Sequence, residues 1–105
     1  MKICGHNYKI VFVPHFKGAD GTEYCGEIRY VERFIGIDSA MKKDVIEESL
    51  IHEILHGIIY HSNQRTNHNE QAIQAISNGL YQLGVGKYLL EKAKGGSQCR
   101  SFNLR

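Results

Sequence analysis

Between Val45 and Ile59 the apolar residues Val45, Ile46, Leu50, Ile51, Ile54, Leu55, Ile58 and Ile59 recur at helical spacing. A face that wide commits the chain to a helix that must be covered by other elements. Asp44-x-x-Glu47 reads as a capping box at its start, with Ser39 as a competing cap. The polar run Ser62-Asn63-Gln64-Arg65-Thr66-Asn67 stops it. A second helix is predicted from Asn67 or Asn69, turning Ile73, Ile76, Leu80 and Leu83 inward, and Gly84 and Gly86 end or kink it before a last basic helical stretch, Tyr88 to Lys94.

Upstream of the long helix the period is two. Tyr8 to Val13 alternates, with Tyr8, Ile10 and Phe12 on one face, until Pro14 ends the strand. Lys17-Gly18-Ala19-Asp20-Gly21 reads as a turn. A second strand is predicted for Tyr24 to Val31, with Tyr24, Ile28 and Tyr30 on one side. A third, Phe34 to Asp38, forms a hairpin with it through Glu32-Arg33. Three strands followed by helices is an α+β plan in one domain, with residues 95–105 as a tail.

At 105 residues the chain can hold one hydrophobic core. No stretch approaches the roughly 20 apolar residues that span a bilayer, and the polar start Met1-Lys2-Ile3-Cys4-Gly5-His6 does not read as a signal peptide. Cys4, Cys25 and Cys99 are odd in number and form no CxxC pair, so reduced thiols in the cytoplasm are the expectation. From Lys87 onward the charges sum to +4 within a net +2. A basic end can hold a nucleic-acid backbone, but without arginine-aromatic interleaving or a nucleic-acid-binding motif it reads as a solvated end, and nucleic acid is not the expected partner.

His52 and His56 stand four residues apart on the long helix. That spacing puts both imidazoles on one face, about one turn apart, where they can hold one ion. Glu53 lies beside them, directed at a water rather than at the ion, so His52-Glu53-Ile54-Leu55-His56 is an HExxH motif. A catalytic zinc takes a third protein ligand and leaves one position open. Ile59 and Ser62 occupy the positions where the metzincin pattern needs Gly and His, which excludes that form. Glu70, the only acid between Glu53 and Glu91, is one candidate for the third ligand and His68 is its rival, whereas His61 is one place short of the metzincin position. Tyr60 and Tyr81 could donate to a developing oxyanion, and Cys25 or Cys99 could place a thiolate on the zinc.

Glu47 to Gly57, with Glu70-Gln71-Ala72-Ile73 and Ser77-Asn78-Gly79-Leu80-Tyr81, resembles the small phage and mobile-element zinc peptidases related to the ImmA/IrrE type and the minimal gluzincins. The similarity covers roughly Phe34 to Leu83. It implies a minimal zincin-like fold, a small three-stranded sheet on two main helices, with one zinc held by His52, His56 and Glu70. It implies Glu53 as general base and the strand Phe34–Asp38 as the rim that aligns a peptide or protein substrate. Two function classes follow: a zinc-dependent peptidase using metal-activated water, or a non-catalytic zinc-binding interaction module.

Overall fold

A computed structural model describes residues 1–62 and 69–95. The chain opens with a short antiparallel hairpin, β1 (Lys2–Ile3) and β2 (His6–Asn7). Two-residue strands are too short to display a period, and the sequence reading passed over them. Three further strands, β3 (Lys9–Val13), β4 (Gly26–Arg29) and β5 (Phe34–Asp38), form one sheet in the order β3-β5-β4. β5 runs parallel to β3, with Ile10 opposite Ile35 and Val13 opposite Asp38, and antiparallel to β4, with Gly26 opposite Ile37 and Arg29 opposite Phe34. The β4–β5 hairpin turns through residues 30–33, with Arg33 in the left-handed region at φ 59°.

Three helices follow: α1 (Lys43–His61), α2 (Glu70–Gln82) and α3 (Val85–Gly95). The described residues thus form a compact α+β domain of three helices and two small sheets. α1 is preceded by Lys42 with no side-chain cap, so neither Ser39 nor Asp44 plays the expected part. Asp44 instead sits in the first turn, where its carboxylate accepts the Val45 N–H at 2.8 Å and its charge suits the positive end of the helix dipole. α2 does begin on a side-chain cap: Asn69 Oδ1 accepts the Ala72 N–H at 3.1 Å.

The core lies between one face of the sheet and the helices. Ile35 and Ile37 of β5 are fully buried, and around them gather Ile10, Leu50, Ile54, Leu90 and Ala93 together with Ile3 and Tyr8. Each such aliphatic side chain contributes about 1.5–3 kcal/mol on burial. Leu90 and Ala93 belong to α3, so the expectation of two main helices is corrected: the basic stretch is a third helix that closes the core. Its lysines lie over rings, with Lys94 Nζ 5.5 Å from the Phe12 centroid. Gly95 is the last residue of α3; the remainder of the expected tail lies outside the described residues.

α3 comes close to α1 at Gly86, where an added Cβ would stand 2.8 Å from the Glu47 Cβ. That neighbour is near the α1 backbone and cannot swing aside. Gly86→Val should therefore destabilise the fold: the gain in helix propensity is under about 1 kcal/mol, and overpacking costs about 1–3 kcal/mol. Urea unfolding should show a lower midpoint with the slope unchanged.

Candidate metal centre

α2 reaches its position through a narrow stripe rather than the broad face the sequence suggested. Ile73 and Ser77 are buried and Leu80 is half-buried, while Ile76 and Leu83 are 51% and 79% exposed. The inward set is thus 73, 77 and 80, and the same three- and four-residue steps carry the stripe back to Glu70. Serine at position 77, with no exposed surface, lets the two helices lie close. α2 runs back along α1, with Glu70 over the histidines and Tyr81 facing Asp44, Glu47 and Glu48.

Glu70 Oε1 lies 3.2 Å from His52 Nε2, and Glu70 Oε2 lies 3.0 Å from His56 Nε2. The two imidazoles are 4.9 Å apart between centroids at an interplanar angle of 62°. One ligand atom from each of the three residues falls within 4.8 Å of the others. Ligands about 2.0–2.1 Å from one tetrahedral ion stand roughly 3.3 Å apart, so small side-chain shifts suffice to close the set around a cation. Two imidazoles and a carboxylate suit zinc. His56 is buried and His52 largely so, whereas Glu70 is mostly exposed. The helix therefore fixes two donors, and the third is free to close from the solvent side.

These residues floor a cleft of about 260 Å³ whose other wall is β4 and its flanks, from Tyr24 through Gly26, Glu27 and Ile28 to Tyr30. β4 comes this near α1 because residue 26 is glycine: a Cβ there would stand 3.3 Å from Glu53 Cγ and 3.0 Å from Ile37 Cδ1. β5 is paired on both edges and cannot serve as the rim, so that expectation is corrected in favour of β4, the edge strand. Asp38 N–H donates to the Cys25 carbonyl at 2.9 Å. Antiparallel bonding alternates, so the backbone groups of Glu27 and Arg29 turn toward β5 while those of Gly26 and Ile28 turn outward.

Glu53 sits under this strand. Burial pushes its carboxyl from the ordinary 4.5 up to about 7, and the charges of Glu70 and Glu27 push the same way; the Ile28 backbone N–H, directed at it, opposes them. A cation held by His52, His56 and Glu70 would act against that rise. Tyr30, on the rim, has its phenol pushed up to about 12, chiefly by burial and then by Glu53. It therefore stays an O–H donor across the neutral range. Its ring stacks on Tyr60 at 4.0 Å and 6°.

Tyr30 was not singled out in the sequence, although strand alternation already set it on the same side as Ile28. Of the two tyrosines that were, Tyr60 supports Tyr30 from behind, and Tyr81 lies at the far end of α2. His61 faces the hairpin, with Nε2 2.6 Å from Tyr8 Oη and its ring stacked on His6 at 4.1 Å. Among the described residues, neither group able to hold a metal includes a cysteine; Cys25 is exposed. His68 and Cys99 lie outside the described residues. Comparison with known proteins found no match to a family model, to a curated protein or to a solved structure.

The raised Glu53 carboxyl links stability to pH. Below about 4.5 the group is protonated whether the chain is folded or not, and it has no effect. Above about 7 it must ionise in a site that disfavours its charge, so stability falls as pH rises through that window. With EDTA present, Glu53→Gln should be more stable than the parent at pH 8, by at most about 3 kcal/mol, and equal to it near pH 4.5. Thermal melts at the two pH values check this.

Proposed function

We propose that the chain is a zinc-dependent peptidase with a minimal zincin-like fold. The observation that carries the reading is the convergence of His52, His56 and Glu70 within 4.8 Å in a cleft that also holds Glu53, beneath an open strand edge. A site whose zinc only tied α1 to α2 needs neither the cleft nor a carboxylate at position 53.

His52, His56 and Glu70 would hold the ion. Zinc bound there supplies Lewis-acid polarisation of a carbonyl and makes a water more acidic. Glu53 then takes the proton of the attacking water and returns it to the departing amine. Its place in the cleft beside both histidines suits both halves of that task. Tyr30 donates its O–H to the oxygen on which negative charge develops. The outward backbone groups of Gly26 and the Ile28 carbonyl give an extended peptide a strand to pair with, which aligns it across the cleft, while the Ile28 N–H stays on Glu53.

Glu53→Gln keeps the size and removes the base. Activity on unfolded protein substrates should fall by about two to four orders of magnitude, with zinc affinity at this site unchanged. Glu70→Ala should weaken zinc binding here tenfold or more, as loss of a ligand requires. Tyr30→Phe should lower kcat by about tenfold or more with little change in KM, because its bond forms with the transition state. If Glu53→Gln cleaves as fast as the parent, the peptidase reading is wrong. If it loses zinc, the non-catalytic module is the better description.

A further inference from the structure

The carboxyl ends of the parallel strands β3 and β5 lie side by side, with Val13 opposite Asp38. Two residues past Val13, after Pro14, the chain turns through His15, which adopts φ 54°. The following segment folds back on itself: Lys17 bridges Glu23, and Tyr24 N–H donates to the Phe16 carbonyl at 3.2 Å. This return brings Glu23 beside His15, with Oε1 3.9 Å from Nδ1. One donor atom from each of His15, Glu23 and Asp38 then lies within 4.8 Å of the other two.

The His15–Glu23 pair alone means little, because both side chains are mostly exposed and such pairs contribute about 0–1 kcal/mol. Asp38 changes its meaning. Only 1% of its surface is exposed, at the end of a central strand. Its Oδ1 accepts the N–H groups of His15 and Ala40, each at 2.9 Å. Its Oδ2 is buried and, among the described residues, has no hydrogen-bond partner. An asparagine oxygen would accept the same two N–H groups without a charge to desolvate. The second oxygen and the full charge are left unexplained by the turn they brace, and a cation accounts for both.

We propose that His15, Glu23 and Asp38 form a second divalent-cation site, separate from the α1–α2 cleft. An imidazole with two carboxylates selects a first-row transition ion such as zinc or manganese over magnesium or calcium, whose ligands are oxygen. Asp38 supplies the rigid anchor. His15 and Glu23 close on the ion from the surface and leave room for water or a further ligand. An ion there clips the 14–24 segment to the end of the sheet, and that segment leads directly into β4.

Zinc titration of the chelator-stripped full chain, read by calorimetry and native mass spectrometry, tests the site. The parent should bind two equivalents. His15→Ala/Glu23→Gln changes only exposed side chains and should lose one equivalent, or weaken it at least tenfold, with the circular dichroism spectrum unchanged. Asp38→Asn keeps the Oδ1 acceptor and should show the same loss, while in EDTA it should be no less stable than the parent. Glu70→Ala should keep the equivalent that those variants lose. Retention of both equivalents by His15→Ala/Glu23→Gln overturns the proposal. So does a parent that binds a single zinc which vanishes in Glu70→Ala; a single zinc that survives Glu70→Ala but not Asp38→Asn upholds this site and removes the other.

Discussion

The enclosure of α1 is the constraint on which the rest of this structure depends. It packs against β1, β4, β5, α2 and α3, so nearly every element of the domain takes its position from one helix. Leu50 and Ile54 face the sheet core, Ile51 meets Gly86 of α3, and Gly57 lies against Ile28 and Ile3. Apolar contact on several sides leaves one sector of the helix facing the cleft. His52, Glu53 and His56 occupy it, with their backbone held by the same packing that stabilises the fold. The two imidazoles are thus held in place by the fold itself, while Glu70 reaches them from the solvent side.

The electrostatics of the cleft run against the stability of the protein as a bare chain. Glu27, Glu53 and Glu70 surround a small volume, and burial adds to their mutual repulsion at Glu53. The nearby ion pair between Arg29 and Glu27, at 3.1 Å, offsets the charge of Glu27 and leaves that of Glu53 unrelieved. Carboxylates gathered beside two imidazoles are costly when a cation does not offset them. Chains keep such arrangements at sites that bind or react, and the raised affinity of Glu53 for a proton comes first from its burial and then from the charges of Glu70 and Glu27.

The outward edge of β4 borders the α1–α2 cleft, and the segment that feeds it carries Glu23, which lies with His15 and Asp38. Gly26 lets the strand approach Glu53, and Tyr30 beyond it turns its phenol to the cleft while stacking on Tyr60. A shift of this short strand would move a backbone donor, a wall residue and a phenol together. Its geometry therefore governs the cleft as much as the HExxH helix does.

The sequence by itself determined the elements whose signal is local. The bounds of β5 follow from alternation, α1 from a sustained helical period, and the facing of His52 and His56 from the pitch of one helix. The sequence narrowed the start of α2 to Asn67 or Asn69, and the structure chose Asn69, whose side chain caps the N–H three residues on. Tertiary structure decided what depends on residues distant in the chain. That β5 is central and β4 the edge is a matter of strand order, which alternation does not encode. That Ile76 and Leu83 face outward while Ser77 is buried depends on how near α2 lies to α1, and hydrophobicity alone pointed the other way. The approach of Glu70 to both histidines, the phenol of Tyr30 over the cleft and the meeting of His15, Glu23 and Asp38 all arise the same way. Each joins side chains from separate elements, and only the packing of a common core fixes the distances between them.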